Sequence, residues 1–290
     1  MSGPLTVESN LLRGLERIGQ PYRLNPPERA VTPHVGILRD IAALRWAIEA
    51  KRRGRIERLI AGPNLVVLPD EFDGILAAPE IDCVVTPSAW VSRVYESVRP
   101  SLVGRIAEWV VGVDQGFWHP SALAYDGQQR GLLVYQKIRQ LRNMAIVESV
   151  TEEMQRRGLS FQVLAYGKYT PSQYRSLLQK SRAMIFLSES ESQGIALFEA
   201  WACDVPTLVW NRKTWESGSR TFAASSAPYL CAACGLDFQT ASSFSVRLDD
   251  FLDRMPMFNP RRVILESFTL ESSARVYARL LWGEVNDSLG

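Results

Sequence analysis

A chain of 290 residues with ordinary globular composition can bury enough apolar sequence for two packed domains. Hydrophobic residues make up 46% of it and charged residues 22%, which excludes a disordered or fibrous protein. The formal net charge of +2 excludes bulk electrostatic binding to nucleic acid, and no nucleic-acid-binding motif is present.

The N-terminal residues MSGPLTVESN lack the basic and apolar regions of a signal peptide. No run approaches the roughly 18 apolar residues that a membrane-spanning helix needs. We therefore expect a cytoplasmic protein. Cys231 and Cys234 have C-x-x-C spacing, but neither a second pair nor a thioredoxin-like context accompanies them. We expect two ordinary thiols and no metal site.

Short β-rich runs alternate with helical patterns, as in parallel sheets with crossover helices. In the first half we predict, in chain order, helix NLLRGLERIG, strand HVGIL, helix DIAALRWAIEAKRRG, strand LIAGPNLVVLP, strand DCVVTPS and helix AWVSRVYESV. The segment WVVGVDQGFWHPSALAYDG follows. Its glycine, proline and aromatic residues without a clear period predict a domain boundary.

The second half repeats this alternation. We predict strands GLLVYQK, SFQVLAYG, AMIFLS and PTLVW, and helices in NMAIVESVTEEMQRRG, PSQYRSLLQKS, the segment after ESQG, SSFSVRLDDFLDRM and TLESSARVYARLLWGEV. The predicted fold class is α/β, with two doubly wound units. Such sheets bind ligands beyond the carboxyl ends of their strands.

Glu199 is the one charged residue in a predicted helix, from Gly194 to Cys203, that is otherwise apolar on every side. At about 100° per residue it falls in one arc with Phe198, and Trp201 covers the opposite side. A carboxylate in that position is costly unless it holds a partner. The helix therefore raises the question of what Glu199 binds.

The start of this helix is a candidate anion site. The first amides, of Gly194, Ile195 and Ala196, have no intrahelical acceptors and carry the positive end of the helix dipole. Gly194 allows the backbone to approach a ligand closely. An ordinary capped helix is the alternative, because a strand, a glycine-containing loop and a helix are a common combination.

Glu191 and Glu199 are separated by seven residues in E-S-Q-G-I-A-L-F-E-A-W-A-C-D-V-P. This stretch resembles the retaining glycosyltransferases of the GT-B fold (glycosyl transferases group 1, family 4-like), whose donor domains carry E-[GS]-F-G-[LI]-x-x-x-E-A-M-A-x-G-x-P. The resemblance implies that Glu199 binds the ribose hydroxyls of a nucleotide sugar and that Glu191 binds and orients the donor sugar. It implies that the pyrophosphate or sugar is held by Gln193, Gly194, Ile195 and Ala196.

The resemblance extends to LLVYQKIRQLRN, where the family has a strand followed by G-R-L-x-x-x-K-G. Its two basic residues bind the donor phosphates, and Lys137 and Arg142 take their places with the residue types exchanged. Gln136 and Asn143 replace both glycines, which leaves the loop conformation open. Two solvated cations at the start of a helix are the alternative interpretation.

Further segments are similar to the family with less specific motifs. LAYGKYTPSQYRSLL resembles the turn beneath the nucleobase, which makes Lys168 and Tyr169 candidate base contacts. On the acceptor side, Gly3 is the glycine available for the family's first Gly-Gly loop. His34 lies near a strand end, where the family tends to place a histidine close to the transferred sugar; a structural histidine is the alternative.

The resemblance implies a GT-B fold of two facing Rossmann-like domains. We predict a reduced N-terminal acceptor-side domain over residues 1–121, a nucleotide-sugar donor domain over residues 122–269, and a helix over residues 270–290 that returns to the first domain. The segment KRRGRIER carries five basic residues and one acidic residue. It is either a solvated helix end or a contact for an anionic acceptor or membrane surface, through Lys51, Arg52, Arg53, Arg55 and Arg58.

The sequence thus predicts a retaining glycosyltransferase that needs no metal and no cofactor beyond its nucleotide-sugar substrate. Glu191, Lys137 and Arg142 are its predicted catalytic residues, and the acceptor is a glycan, lipid or small molecule. A catalytically inert nucleotide-sugar-binding or scaffold protein is the second interpretation, because both glycines of the phosphate loop are replaced. Another GT-B enzyme, such as a nucleotide-sugar epimerase, is the third.

Overall fold

The structure is a computed structural model that describes residues 3–121 and 131–284. Its contacts divide the chain into two compact units. Unit 1 consists of the described residues of Met1–Gly112 and Leu270–Gly290, and unit 2 is built from Val113–Thr269.

Unit 1 contains a parallel sheet with strand order β1-β2-β3-β4. Its elements are α1 (Gly3–Arg17), β1 (His34–Ile37), α2 (Ile41–Arg52), β2 (Arg58–Ala61), β3 (Cys83–Thr86), α3 (Ala89–Val98), β4 (Ile106–Glu108) and α9 (Leu270–Trp282). Helix α1 packs against α9 at Gly14, where an added side chain would lie 2.5 Å from the carbonyl oxygen of Leu270. Only glycine allows this approach of the two helices.

The predicted strand LIAGPNLVVLP forms a strand over its first residues only, since β2 ends at Ala61. Gly62 follows with a φ of +118°, and a side chain there would meet the carbonyl oxygen of Val85. Pro63 has no N–H to donate to a neighbouring strand. The chain therefore leaves the sheet at Gly62, and the predicted strand is too long.

The basic segment at the end of α2 is paired with carboxylates. Lys51 contacts Asp82, the Nε atom of Arg52 lies 2.7 Å from Glu80, Arg53 lies 2.9 Å from Glu49, and Arg55 contacts Glu28. The Nε atom of Arg58 donates a 3.0 Å hydrogen bond to the carbonyl of Leu280. These pairs reduce the positive charge that the sequence places here, so the structure favours a solvated and neutralised helix end.

Unit 2 contains a five-stranded parallel sheet with strand order β11-β8-β7-β5-β6. Its elements are β5 (Gly131–Lys137), α4 (Ala145–Arg156), β6 (Phe161–Ala165), α5 (Pro171–Gln179), β7 (Ser181–Ser188), α6 (Ile195–Ala202), β8 (Thr207–Trp210), β9 (Thr214–Ser217), β10 (Arg220–Ala223), β11 (Gly235–Phe238), α7 (Ala241–Asp253) and α8 (Pro260–Ser267). Strand β7 is central, and its residues 183–187 are fully buried. This burial explains why the strand reads as a continuous apolar run.

Cys231 and Cys234 precede β11, with their sulfur atoms 3.5 Å apart. Both are free thiols; Cys231 is exposed and Cys234 is buried.

Candidate active site

Three neighbouring strands of unit 2 end at one edge of the sheet. The order β8-β7-β5 places the last residues of these strands, Trp210, Ser188 and Lys137, side by side. The loop after β7 leads into α6 and contains Glu191. In parallel sheets this edge is the usual place for a ligand, so the predicted donor residues lie where a ligand is expected.

Lys137 and Glu191 form an ion pair at this edge. The Nζ atom of Lys137 lies 2.8 Å from the Glu191 carboxylate, and both side chains are largely buried. The Ser188 hydroxyl donates a 2.7 Å hydrogen bond to the same carboxylate, and the Glu191 amide donates to the Ser225 carbonyl at 2.9 Å. The Lys137 ammonium also lies 4.8 Å from the centre of the Tyr166 ring. The structure thus brings two of the three predicted catalytic residues into contact.

The start of α6 has the geometry of an anion site. Gly194 is the N-cap residue and has a left-handed backbone with φ of +88° and ψ of +55°. Its carbonyl accepts from the amides of Leu197 and Phe198, which leaves the Ile195 and Ala196 amides in the first turn without intrahelical acceptors. Gln193 is buried beside them. The four residues predicted to hold the pyrophosphate or sugar therefore share one turn.

Glu199 lies on the second turn of α6 among buried residues. Leu197, Phe198 and Trp201 are completely or almost completely buried, whereas Glu199 itself is half-buried. Loss of solvation raises the pKa of the Glu199 carboxyl to about 8. Among the described residues no hydrogen-bond donor to this carboxylate is found. The environment is thus one in which a ligand that donates hydrogen bonds would stabilise the charged form.

The turn after β6 carries the two predicted base contacts. Lys168 is exposed, and the half-buried Tyr169 places its hydroxyl 2.6 Å from that of Tyr135 on β5. Tyr174, which packs against both tyrosines, donates a 2.9 Å hydrogen bond to the Ala196 carbonyl. Tyr169 therefore belongs to an aromatic cluster that reaches α6.

Among the described residues, Arg142 and Lys137 pair with different carboxylates. Arg142 follows β5 in a short 3-10 turn, Leu141–Asn143, and its guanidinium contacts Glu216 on β9. Its Nε atom donates to Gln140 at 2.8 Å. The third predicted catalytic residue therefore lies at the same strand end as Lys137 but is held by a different carboxylate.

Glu189 lies in the candidate site, and the sequence patterns did not reveal it. Its carboxylate accepts hydrogen bonds from the Gln140 amide at 3.1 Å and from the Asn143 side chain at 2.6 Å. Asn143 stands where the family has a glycine. Glu189 therefore fixes the loop after β5, in which other residues replace the family's glycines. Glu189 comes directly after a buried strand and two residues before Glu191, and this position was the sequence signal that could have identified it.

The acceptor-side candidates lie in unit 1. His34 is the first residue of β1, at the amino end of the strand, and its ring packs edge-to-face on Trp282 at 4.3 Å. Gly3 begins α1 rather than lying in a loop. Neither position is a carboxyl strand end, so the structure supplies a packing role for His34 and no loop for Gly3.

The described residues contain neither a metal-binding cluster nor a membrane-spanning helix. In residues 3–121 and 131–284, no three His, Cys, Asp or Glu side chains are grouped so that they would hold a metal ion. No helix in these ranges is both long and apolar enough to span a membrane.

The sequence from α4 to β9 matches a known family. Residues 147–216, less than half of the chain, fit the model of the glycosyl transferases group 1. This range contains Glu191, Gly194 and Glu199. The chain is a relative of the group 1 glycosyl transferases. No curated protein matches it in sequence.

Solved structures place the group 1 match within a GT-B fold. A glycosyltransferase from Rickettsia africae superposes with a TM-score of 0.65 at 12% identity, over 99% of this chain and 83% of that one. Sucrose-phosphate synthase from Thermosynechococcus elongatus superposes with a TM-score of 0.58 at 15% identity, over 87% of this chain and 74% of that one. The catalytic domain of starch synthase IV from Arabidopsis thaliana, solved with ADP and acarbose, superposes with a TM-score of 0.58 at 11% identity. The match covers 96% of this chain and 76% of that domain. The predicted α/β, GT-B fold is confirmed, and the family match supports glycosyltransferase function.

Proposed function

We propose that this protein is a retaining, metal-independent glycosyltransferase that moves a sugar from a nucleotide-sugar donor to an acceptor. One observation carries the proposal: the Lys137–Glu191 pair lies at the carboxyl edge of the unit 2 sheet, in the loop that opens into the Gly194 turn of α6. A cation, a carboxylate and helix amides without intrahelical acceptors are the groups that a sugar diphosphate requires.

Each group has a distinct role in this proposal. The ribose hydroxyls donate to Glu199, and the amides of Ile195 and Ala196 hold the diphosphate. Lys137 and Arg142 stabilise the charge that develops on the leaving phosphate. Glu191 accepts from the donor sugar and orients its anomeric carbon. The departing phosphate oxygen takes the proton of the acceptor hydroxyl on the same face, so retention needs no side-chain nucleophile.

An inert nucleotide-sugar-binding or scaffold protein is the competing proposal. The observation that favours it lies in the loop after β5, where Gln136 and Asn143 replace the family's glycines and Arg142 already carries a carboxylate partner. Such a protein would bind the donor at Glu199 and α6 without transferring the sugar. Binding therefore does not separate the two proposals, whereas turnover does.

The test begins with a thermal-shift panel of UDP-, GDP-, ADP- and dTDP-sugars. A ligand at about one hundred times its dissociation constant stabilises the folded state by roughly 2.7 kcal/mol. The donor that stabilises the protein is then incubated with water or candidate acceptors, and release of nucleoside diphosphate is followed. Release that disappears in Glu191→Gln supports the transferase. Stabilisation without release in any condition supports the inert binder, and no stabilisation by any donor contradicts both.

A further inference from the structure

Glu216 contacts two arginines that follow different strands of the sheet. Its carboxylate contacts the Arg142 guanidinium, from the loop after β5, and lies 3.3 Å from Nη2 of Arg212, which follows β8. Strands β5 and β8 flank β7 in the sheet. The two guanidinium groups therefore meet at one carboxylate from either side of the strand that leads to Glu191 and α6.

The β9–β10 hairpin sets the position of Glu216. The two strands pair antiparallel, with Glu216 opposite Thr221, and the rings of Trp215 and Phe222 stack at 5.5 Å. Lys213, just before the hairpin, forms an ion pair with Asp237 on β11. These contacts hold the hairpin in place. The fold therefore positions Glu216 against the two arginines.

The contacts of Glu216 are of a kind that a phosphate can replace. The Arg142 side chain is 63% exposed and that of Glu216 is 31% exposed, so water competes for this pair and its net contribution to stability is small. The Arg212 side chain is only 19% exposed and lies over the Trp210 ring. A guanidinium fork binds phosphate oxygens with the geometry that it uses for a carboxylate, and the phosphate carries more charge.

We propose that Arg212 is a further diphosphate-binding residue of this site, and that Glu216 is an internal carboxylate that the donor diphosphate displaces from Arg142 and Arg212. The inference rests on the proposed function, because it assumes that a nucleoside diphosphate binds beside Lys137. Glu216 then lowers donor affinity and favours release of the nucleoside diphosphate product. Removing its charge leaves both arginines available to the phosphates.

The experiment is calorimetry with UDP, GDP, ADP and dTDP on the parent protein, followed by the tightest of the four on variants. Glu216→Gln keeps the side-chain volume and is expected to bind about tenfold more tightly, because one negative charge near the phosphates is lost. Arg212→Gln is expected to bind about tenfold more weakly. When Glu216→Gln is added to Arg212→Gln, the increase in affinity for the diphosphate is expected to be smaller than when Glu216→Gln is made in the parent.

Glu266→Gln is the matched control. It removes the same charge from an exposed ion pair in unit 2, with Arg262 at 2.6 Å, and it is expected to leave affinity unchanged. Circular dichroism melting of each variant verifies that it is folded.

The outcomes separate this inference from the proposed function. If the parent binds none of the four diphosphates, the proposed function fails. If the parent binds but Glu216→Gln binds equally or more weakly, the proposed function stands and the role of Glu216 is refuted. Unchanged affinity in folded Arg212→Gln refutes the role of Arg212.

Discussion

Lys137 and Glu191 lie 54 positions apart in the chain, and the Lys137 ammonium is 2.8 Å from the Glu191 carboxylate. The contact exists because β5 and β7 are neighbours in a parallel sheet, with Lys137 opposite Ser188. Under the proposed function, the cation that meets the phosphates and the carboxylate that meets the sugar are therefore in direct contact across two neighbouring strands.

Replacing Lys137 by Met is expected to destabilise the protein by about 1 to 3 kcal/mol, since the largely buried Glu191 carboxylate loses its cation. Urea unfolding measures this change. Adding Glu191→Gln to Lys137→Met removes the charge that was left behind, so the double variant should recover most of the loss. Additive losses from the two substitutions would contradict a direct interaction.

Glu189→Gln is expected to weaken binding of nucleoside diphosphate about tenfold. The carboxylate fixes the loop after β5 through the Gln140 amide and the Asn143 side chain, and an amide loses the charge assistance of both hydrogen bonds. Glu148→Gln, at an exposed position on α4, is the control and should bind like the parent. Equal affinity in all three proteins would show that the loop does not depend on Glu189.

The contribution of Glu199 to the stability of the protein is expected to fall as the pH rises from about 4.3 to about 8. The unfolded chain releases the Glu199 proton near pH 4.3, whereas the folded state keeps it until the pH approaches the raised pKa of about 8. The contribution of this group is therefore fully present below the unfolded pKa and is lost by pH 8, with a slope of at most about 1.4 kcal/mol per pH unit.

Urea unfolding of the parent and Glu199→Gln at several pH values isolates this group, because the other titrating residues contribute equally to both. As the pH rises through this range, the free energy of unfolding of Glu199→Gln should increase relative to that of the parent. Parallel curves would show that the pKa of Glu199 is not raised.

The strongest sequence signals predicted the fold and the segments that form the candidate site. Continuous apolar runs marked β5 and β7, and the apolar residues around Glu199 indicated from the helical segment alone that much of α6 is buried. These signals are local, because a run or a period is visible in a short window. The seven-residue spacing of Glu191 and Glu199 likewise needs only the strand, loop and helix around it.

Other features depend on contacts between distant segments and were not predicted. The β9–β10 hairpin was missed because TWESGSRTF is polar and short, and its Trp215–Phe222 stacking appears only when the strands pair. The Glu189 partners Gln140 and Asn143, and the Glu216 partner Arg142, lie 46 to 74 positions away in a loop whose course no pattern specifies. The sequence predicted that Arg142 lies near the donor phosphates, but it contained no sign of the carboxylate that holds it.

Removal of divalent metal is expected to leave sugar transfer unchanged. In the proposed site the negative charge of the leaving phosphate is met by Lys137, Arg142 and the helix amides, which do not depend on a metal ion. The measurement is the rate of nucleoside diphosphate release with EDTA and with added manganese. Loss of turnover in EDTA that manganese restores would contradict metal independence.

Under the proposed function, unit 2 binds the nucleotide through Glu199 and the sugar through Glu191. Calorimetry with the preferred nucleoside diphosphate tests it most directly, at about pH 8.5 where Glu199 is ionised. Glu199→Gln is expected to bind ten- to a hundredfold more weakly, since hydrogen bonds to a charged group contribute about 1.5 to 3 kcal/mol. Glu191→Gln is expected to bind like the parent while transferring no sugar. Equal affinity of the parent and folded Glu199→Gln would contradict the assignment of Glu199 to the ribose.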